Sequence, residues 1–499
     1  MACSQALIIT QVTDSLTLLT TAVAAFFTLH CKVMRLRVLG YYVHMSIAVL
    51  AAIEGTLFYF GMFAAILVRF AGDRSMAEMH IGSVWPRAGL FGGVTFISFV
   101  AFGLYTARQR ARTLGLALRI VIAVLAGTAA TTVIFYLVPE LQVGRGVMAI
   151  AALFAVGTTC AARAFFDRMV DTDVFKRRVL VYGAGQRALA LANLRRRTDR
   201  RGHVIVGFIP APGEEFVVPL ARLLRESVDL PSFCRRLNID EVVVAMDDRR
   251  REFPIAALLE CRLAGLDVTE LVSFLERETG RVRVDLLNPA WMIFGGGFKR
   301  DILRRFSSRV LDVSASLVIL VISLPAILVT VIAIKFEDGL GSNVFYRQPR
   351  VGYSGRVFNL LKFRSMRADA EHHGEAVWAQ QDDPRVTRVG GVIRKLRIDE
   401  LPQILNVLRG HMSLVGPRPE RPQFVDELSG KIPYYVQRHS VKPGITGWAQ
   451  LCYPYGSSEH DALQKLQYDL YYIKNNSFLF DLAIILQTAE VVFMGKGAR

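Results

Sequence analysis

The sequence is poor in cysteine, and its cysteines are not arranged as metal ligands or bridges. Six cysteines are scattered through 499 residues, and no Cys-x-x-Cys pair occurs. Zinc sites and disulfide scaffolds need closely spaced or paired cysteines. We therefore expect neither kind of site, and nothing in the sequence indicates an oxidising compartment.

Acidic residues are also scarce relative to basic ones. Asp and Glu number 43 against 60 Lys and Arg, which gives a formal net charge of +17 and a pI near 9.8. Such an excess favours an anionic partner, such as nucleic acid, acidic lipid headgroups or a phosphorylated substrate. The basic runs at 194–201 and 248–251 are more typical of a solvated or lipid-facing surface, so we expect no nucleic acid partner.

Apolar residues are abundant, at 52% of the sequence, and give a mean hydropathy of +0.34. This value is too high for a wholly soluble protein. Runs at 39–69, 88–105, 114–137 and 146–166 each reach the ~20 residues that cross a hydrocarbon core. They predict a four-helix transmembrane bundle within residues 39–170.

Basic clusters predict how these helices are oriented. They occur before the first run, between the second and third, and after the fourth (Arg35, Arg37; Arg108, Arg110, Arg112; Lys176, Arg177, Arg178). Loops rich in Lys and Arg stay on the cytoplasmic side of a membrane. We therefore expect the chain to return to the cytoplasm after the fourth helix.

Residues 1–38 are predicted to form an N-terminal extension. Residues 6–29 are a weaker apolar stretch, interrupted by Gln11 and Asp14. They fit an extra anchor, or sequence upstream of a natural start at Met34. No cleaved signal peptide is expected, because the charged segment that begins one is missing.

Residues 171–295 alternate between strand-like and helix-like segments. RRVLVYGAGQRALALANL is typical of a buried strand, a glycine-rich turn and a helix, and VIVGFI and EVVVAM of further strands. The alternation predicts a Rossmann-like α/β domain. The turn Gly183-Ala-Gly185-Gln-Arg-Ala188 has the G-x-G-x-x-A form of a dinucleotide fingerprint, but no acid follows ~20 residues later at a strand end. A degenerate structural or regulatory domain is therefore favoured over cofactor binding.

A fifth apolar run, at 311–335, has Pro325 at its centre. Proline inside a helix removes a hydrogen bond and clashes with the preceding turn, so a sharp bend is expected. A full crossing would leave the rest of the chain outside the cell, and Arg304, Arg305 and Arg309 crowd the start of the run. The sequence favours a re-entrant helix, which enters the inner leaflet and comes back out, over a kinked span.

Two adjacent acids precede a short helix in LRIDELPQILNVLRGHMSLVGPRPE, residues 396–420. The apolar spacing predicts this helix from Leu401. One interpretation is that Asp399 and Glu400 only complement its dipole, worth ~0.3–1 kcal/mol each. A second is chemical, since a carboxylate can attack phosphorus and its neighbour can hold Mg²⁺.

Two arginines favour the chemical interpretation. Arg418 lies between two prolines, and Arg394 lies one turn before Asp399. Both can clamp phosphoryl oxygens. This is machinery for phosphoryl transfer placed after a membrane-dipping segment, so a lipid phosphate is the natural co-substrate.

The region from roughly residue 299 to 495 resembles the bacterial polyprenyl-phosphate hexose-1-phosphate transferases, which start exopolysaccharide, capsule and O-antigen repeat units. The resemblance runs through Arg309, Asp312, Pro325, FYRQPRVGYSGRVFNLLKFRSM, DDPRVTRVG, IDELPQILNVLRGHMSLVGPRPE, KPGITGWAQ and YDLYYIKNNSFLFDL. These motifs are collinear, which makes the resemblance specific. Four spans and a Rossmann-like domain ahead of them are typical of the larger subgroup.

The resemblance implies a reaction and its residues. A sugar 1-phosphate would pass from a UDP-sugar, in the first place a UDP-hexose, to undecaprenyl phosphate, giving undecaprenyl-diphosphate sugar and UMP. Asp399 would be the nucleophile that carries the phosphosugar, and Glu400 with Asp399 would hold Mg²⁺. The implied phosphate contacts are Arg394, Arg418, Lys362 and Arg364.

The membrane break departs from the family pattern. Smaller relatives often carry Ser-Pro there, whereas Leu324 precedes Pro325 here and Ser323 lies one place earlier. Proline alone should still bend the helix, but a hydroxyl-to-carbonyl bond that braces the bend would be rearranged. We expect Pro325 and Ser323 to form the break.

Together these features predict a membrane protein of mixed α and α/β structure. A mainly helical catalytic domain, 296–499, would lie on the cytoplasmic face of the bacterial inner membrane, in contact with its lipids. A homodimer is one assembly that the sequence leaves open. It also leaves open which sugar is moved.

The alternative of a different class is a membrane-anchored nucleotide-sugar epimerase or dehydratase. Such oxidoreductases usually need a Tyr-x-x-x-Lys pair, and none of the 15 tyrosines has Lys four residues later. A non-catalytic scaffold is a third interpretation. His372-His373 lacks a third ligand at useful spacing and indicates a solvated loop, while Trp448 fits a uridine stack or a buried anchor.

Overall fold

The computed structural model describes residues 35–38, 41–70, 72–105, 113–170, 176–194, 203–224, 229–248, 252–287, 289, 292, 302–367, 385–453, 456 and 458–493. The chain divides into two compact units. The first contains Tyr42–Gly92 and Val143–Leu271, and the second contains Gly93–Gln142 and the chain from Val272 onwards. Helices, a four-stranded sheet and smaller strand pairs make up the described part, so the expected mixture of helical and α/β structure is confirmed.

Four apolar helices precede the α/β part, as the sequence predicts. They are α1 (Met45–Arg69), α3 (Val84–Ala101), α4 (Thr113–Leu137) and α5 (Arg145–Val170), accompanied by the strands β1 (Arg35–Val38) and β2 (Tyr41–His44) and the short helix α2 (Arg74–Ile81). All four are long and apolar enough to cross a membrane. The strand pair and α2 were not predicted.

A buried ion pair joins α1 to α5 within the first unit. Arg163 donates from Nε and Nη2 to the two carboxylate oxygens of Glu54, at 2.6 and 3.0 Å. Both residues are buried. Because apolar helices have few directional contacts, a bidentate pair of this kind sets their register.

The α/β part of the first unit contains a four-stranded parallel sheet. Its strands are β3 (Arg177–Tyr182), β4 (His203–Ile209), β5 (Glu241–Val244) and β6 (Asp267–Glu270), with helices α6 (Gln186–Ala192), α7 (Leu230–Arg236) and α8 (Ile255–Leu263) between them in sequence. The strand order is β4-β3-β5-β6. Burial of the central strands explains their continuous apolar sequences. The strands predicted from RRVLVY, VIVGFI and EVVVAM are confirmed, whereas DVTE of β6 shows no apolar pattern and was missed.

The part of the second unit that follows the four-stranded sheet in sequence begins within helix α9 (Leu271–Thr279). It continues with α10 (Ile302–Asp338), β7 (Phe345–Val351), β8 (Val357–Phe363), α11 (Arg388–Lys395), α12 (Gln403–Leu408), β9 (Ser413–Val415), α13 (Pro422–Lys431), β10 (Gly444–Thr446), α14 (Trp448–Cys452), α15 (Glu459–Asn475) and α16 (Phe478–Phe493). Strands β7 and β8 form a hairpin, and β9 and β10 pair in parallel. Side chains from α13, α14, α15 and α16 share one apolar core.

Helix α10 is continuous through Pro325 and is held near both ends by one part of the chain. Near its start, Arg309 donates to the last two carbonyl groups of α12, at 2.7 and 2.6 Å. One turn on, the buried Asp312 accepts from a hydroxyl and an amide of β9, both at 2.8 Å. Near its end, Glu337 accepts from the first two N–H groups of α11, at 2.8 and 2.9 Å. The long apolar helix therefore frames the segment that carries the two acids.

Some predictions concern residues outside the described ranges. They are those on 6–29, on Arg108, Arg110 and Arg112, on most of the basic runs 194–201 and 248–251, and on His372-His373. The domain limits at 38, 170 and 295 stay predictions.

Two ion pairs of equal length in the second unit test how much burial adds to the stability that an ion pair provides. Glu276 and Lys474 are 2.7 Å apart and almost fully buried, while Glu427 and Lys431 are also 2.7 Å apart but 57% and 49% exposed. Glu276→Gln leaves a buried ammonium without its counter-charge, so we expect the free energy of unfolding to fall by ~3 kcal/mol. The control Glu427→Gln should change the free energy of unfolding much less, because water screens an exposed ion pair. Thermal unfolding in detergent compares the two variants, and equal shifts in Tm would contradict the prediction.

Candidate active site

Asp399 and Glu400 lie in a single 3₁₀ turn, Ile398–Glu400, between helices α11 and α12. The residue before it, Arg397, has the left-handed backbone angles φ 60° and ψ 15°. This conformation ends α11 and redirects the chain, and it is uncommon for a residue with a side chain. The acids therefore occupy a turn of their own, between α11 and the first residue of α12.

The role of Glu400 is explained better by its contacts with basic side chains than by capping of helix α12. The N-cap of α12 is Pro402, and no side chain caps it. Oε1 of Glu400 instead lies 3.0 Å from Arg418 Nη2, 3.5 Å from Lys362 Nζ and 3.9 Å from Arg397 Nη1. Complementing the helix dipole is thus not the main role of this acid.

The two carboxyl groups differ in their electrostatic surroundings. Burial opposes the charge of Glu400, but the three cations named above together hold its pKa well below the usual range. Burial raises the pKa of Asp399, which is only 8% exposed, and the charge of Glu400 acts in the same direction. Lys362, Arg394 and Arg397 act in the opposite direction. Adjacent carboxyl groups whose pKa values are pushed apart are typical of sites where the two have different tasks.

The turn that carries Arg418 is fixed through its main chain. Four successive carbonyl groups, from Pro417 to Glu420, each accept a hydrogen bond. The donors are in order Gly444 N–H, Arg438 Nη2, Arg350 Nη1 and Val351 N–H, at 2.9, 3.0, 3.0 and 2.9 Å. Because its backbone has so little freedom, the Arg418 side chain reaches Glu400 at a small entropic cost.

Close approach of the KPGITGWAQ loop explains two glycines of that motif. A Cβ on Gly444 would lie 2.1 Å from Gly416 N, and a Cβ on Gly447 would lie 2.2 Å from Gly416 O. Only glycine allows backbones to approach this closely. Any side chain at these positions would displace the turn and, with it, Arg418.

Strand β8 positions Lys362. Asn406 on α12 donates from Nδ2 to the carbonyl of Asn359 at 2.8 Å and accepts with Oδ1 from the N–H of Leu361 at 3.0 Å. The amide side chain uses both its donor and its acceptor on the edge of the strand. It thereby holds β8 beside the turn that bears the acids.

Three of the four predicted phosphate contacts lie in one cluster with the acids. Lys362 and Arg418 contact Glu400, and Arg394 is close enough to influence Asp399 electrostatically. The fourth, Arg364, is elsewhere, with Nε 3.8 Å from a carboxylate oxygen at the end of α10.

Other predicted residues lie away from the acids. Ser323 Oγ is 3.4 Å from the carbonyl oxygen of Leu320 in the helix turn before Pro325. Trp448 is buried, donates to the carbonyl of Gly280 at 2.9 Å and packs edge-on against an aromatic ring of α16. These contacts favour the buried-anchor interpretation of Trp448.

Sequence reasoning missed three arginines of the site, namely Arg350, Arg397 and Arg438. The buried Arg438 donates to the Tyr435 hydroxyl at 2.6 Å and to the Asp469 carboxylate at 3.0 Å, besides the turn carbonyl. Its carboxylate partner lies 31 positions away in the sequence, so no local pattern reveals it. Arg397 was easier to find, because it is the second arginine of RKLRIDE.

The donor set of the two acids suits Mg²⁺. Among the residues that the structure describes, no group of three or more His, Cys, Asp or Glu could hold a metal ion. Mg²⁺ commonly takes one or two protein carboxylates and completes its shell with substrate phosphate and water. Asp399 and Glu400 therefore fit this cation in the kind and number of ligands.

Residues 303–495 match the family described as bacterial sugar transferase. The matched range begins at the second residue of α10 and extends past the last described residue of α16. It therefore contains the two acids, the basic cluster and the fixed turn.

Curated relatives extend the similarity beyond this range. The UDP-N-acetylgalactosamine-undecaprenyl-phosphate N-acetylgalactosaminephosphotransferase of Aeromonas hydrophila is 43% identical over 242 residues, which are 48% of this chain and 56% of the relative. The undecaprenyl-phosphate glucose phosphotransferase of Komagataeibacter xylinus is 33% identical over 68% of this chain and 65% of the relative. The UDP-glucose:undecaprenyl-phosphate glucose-1-phosphate transferase of Xanthomonas campestris pv. campestris is 30% identical over 72% of this chain and 76% of the relative. The chain thus spans between 56% and 76% of the length of these three relatives.

A buried acid behind the fixed turn predicts how stability depends on pH. Asp481 accepts a hydrogen bond from the Tyr472 hydroxyl at 2.8 Å, and burial raises the pKa of Asp481 to about 7. Between pH ~4 and pH ~7 the folded chain keeps a proton that the unfolded chain has released, so this group lowers stability as the pH rises. Asp481→Asn removes the effect, and the variant should gain stability relative to the wild type from pH ~5 to pH ~8.

The control for this prediction is Asp461→Asn at the start of α15. Hydrogen bonds from the side chain and backbone of Ser458 lower the pKa of Asp461 to about 2, below the tested window. Its variant should therefore lose the same stability at both pH values. The test is to measure the Tm of both variants and of the wild type in detergent at pH ~5 and pH ~8. A pH-independent shift in Tm for Asp481→Asn would show that the acid is not buried as described.

Proposed function

Because the chain belongs to the bacterial sugar transferase family, we propose that it is a phosphoglycosyl transferase that moves a sugar 1-phosphate from a UDP-sugar to undecaprenyl phosphate. The products are undecaprenyl-diphosphate sugar and UMP, and the reaction starts the assembly of a polysaccharide repeat unit. The observation that carries the proposal is the position of Asp399. It is a nearly buried carboxyl group beside the anion of Glu400 and within a cluster of basic side chains.

The chemistry proceeds by two displacements at one phosphorus atom. A carboxylate oxygen of Asp399 attacks the sugar-bearing phosphorus of the donor, and the bond from that phosphorus to the UMP oxygen breaks with its electron pair. An oxygen of undecaprenyl phosphate then attacks the same phosphorus, and the carboxylate oxygen of Asp399 leaves. One phosphoanhydride replaces another, so no external energy source is needed.

The basic side chains stabilise the charge that develops during both displacements. Arg394 and Arg418 contact the phosphoryl oxygens, with Lys362 beside them. Charges that are fixed in place and partly shielded from water act more strongly than mobile ones, because they do not reorganise during the reaction. Glu400 and Asp399 would hold Mg²⁺, which would supply positive charge against the diphosphate of the donor.

Helix α10 enters the bilayer and returns to the same face, with its bend at Pro325. A helix of 37 residues is ~55 Å long when straight, well beyond the ~30 Å of a hydrocarbon core. A straight crossing would put its ends on opposite sides of the membrane. The re-entrant form is supported by the contacts near its two ends, because Arg309 and Glu337 both bind the charged segment 388–408.

The remaining parts fit the same setting. The four apolar helices would form a bundle in the bacterial inner membrane, with the transferase part on its cytoplasmic face. The strand order and the glycine-rich turn support a Rossmann-like domain between them. The relatives are named for N-acetylgalactosamine and glucose donors, so a screen of both UDP-sugars would identify the sugar. The homodimer stays a prediction.

The nucleophile is tested by Asp399→Asn in purified membranes. Given UDP-sugar, undecaprenyl phosphate and Mg²⁺, the wild type should release UMP, and the variant should lose ~10³-fold or more of the rate because no carboxylate can form the intermediate. Chelation of Mg²⁺ should also stop release. Asp426→Asn, an exposed carboxylate of α13, is the matched control and should keep the wild-type rate.

Trapping of the intermediate separates this mechanism from direct transfer. Donor labelled in the sugar should leave a covalent adduct on the peptide that contains Asp399, and Asp399→Asn should leave none. Wild-type turnover by the variant, or an adduct on another residue, would overturn the assignment.

Topology is tested by cysteine labelling in intact cells, with the native cysteines replaced by serine. Gly341→Cys, just after α10, is exposed, and its Cβ meets no other group within 4 Å. A re-entrant helix keeps this residue inside the cell, so an impermeant maleimide should react with it only after lysis. Gln142→Cys, in the loop before α5, should react without lysis as the positive control. Labelling of Gly341→Cys in intact cells would mean that α10 spans the membrane.

A further inference from the structure

The glycine-rich turn after β3 raises a question that the transfer chemistry leaves unanswered. A G-x-G-x-x-A turn at this place in a parallel sheet implies a dinucleotide, whose pyrophosphate binds the backbone N–H groups of the turn and of the following helix. The fit of such a ligand depends on whether those N–H groups are available.

Carboxylates of the chain itself occupy these N–H groups. Asp247 accepts from Gln186 N–H and Arg187 N–H, at 2.8 and 2.7 Å. Glu214 accepts from Ala184 N–H at 2.9 Å and from the N–H of Asp247 at 2.6 Å. The two acids thus bind the turn, and one of them also braces the other.

The glycines of the turn are explained by the same contacts. A Cβ on Gly185 would lie 2.1 Å from Asp247 Oδ2. Gly183 has φ +121°, and its Cβ would lie 2.7 Å from the carbonyl oxygen of Ala245. Both glycines therefore make room for the segment that follows β5, which is where a pyrophosphate would need the space.

The two carboxylates lie at the edge of the sheet where a parallel α/β sheet of this order binds its ligands. In the order β4-β3-β5-β6, ligands bind beyond the carboxyl ends of β3 and β5, where the chain changes direction along the sheet. The turn follows β3 and Asp247 follows β5, and the two strands are direct neighbours. Strand β4, whose end would carry the acid that reads a ribose, ends at Ile209 and is followed by a proline.

We infer that this domain does not take a dinucleotide, because Asp247 and Glu214 serve as built-in anions of its glycine-rich turn. A pyrophosphate would have to displace both carboxylates and remain close to their negative charge. With them in place the N–H groups of Ala184, Gln186 and Arg187 are satisfied without a ligand. The inference does not depend on the role proposed for Asp399.

Two measurements on the full chain in detergent test the inference. NAD⁺, NADH, NADPH and FAD are each titrated to ~1 mM, where a site with a micromolar Kd would be saturated, and no saturable binding is expected.

Hydrogen–deuterium exchange then follows the amides of residues 184–187 without ligand. They should exchange slowly in the wild type and ~10-fold faster or more in the double variant Glu214→Ala, Asp247→Ala, since bonds to charged acceptors are the stronger ones.

The matched control is Glu215→Ala, Asp248→Ala, which removes the same charge from the adjacent positions and should leave exchange of the turn unchanged. Amides of β3 serve as the reference for folding of each variant. Saturable binding of any of the four nucleotides to the wild type would overturn the inference, whatever the variants do. Wild-type exchange rates in the folded Glu214→Ala, Asp247→Ala variant would also overturn it, because the carboxylates would then not hold the turn.

Discussion

Three separated parts of the chain meet at one atom, Oε1 of Glu400. Lys362 comes from the β7–β8 hairpin, Arg397 from the turn that bears the acids and Arg418 from the turn after β9. Three cations this close together repel one another unless an anion lies between them. Their side chains are between 19% and 34% exposed, so water screens the repulsion only in part. Glu400 thus makes it possible to hold together, without a bound ligand, the basic cluster that we propose binds phosphate.

Main-chain hydrogen bonds provide the rigidity that this arrangement needs. The carbonyl groups from Pro417 to Glu420 are all used, and Asn406 ties α12 to β8 through both ends of its amide. Charges alone would pull these groups together without fixing their directions. Because the backbone bears the geometry, the positions of Lys362 and Arg418 do not depend on their ion pairs alone.

The elements that repeat a simple pattern were predictable, and those that depend on distant contacts were not. The apolar helices and the central strands follow from long runs of apolar residues. Asp399 and Glu400 were singled out as adjacent acids, Arg418 by its two flanking prolines and Arg394 by its place one turn before Asp399. No sequence pattern near Arg438 predicts that its guanidinium donates a hydrogen bond to the Arg418 carbonyl. The same is true of Arg364, which looks equivalent to Lys362 in KFRSM but meets a different carboxylate. The glycine-rich turn is ambiguous on its own, because its spacing fits a nucleotide while its amides bind acids from loops 30 and 61 positions away.

The carboxylate of Asp312 also bears on how the chain is made. This side chain belongs to the start of the long apolar helix, yet its partners in β9 follow 101 and 102 residues later. At usual rates of synthesis the ribosome needs roughly 5–20 s to reach them. During that interval Asp312 has neither of these partners, so the start of α10 cannot take up the contacts that it makes in the folded chain. Folding at this end of the helix is therefore completed only after β9 has been synthesised.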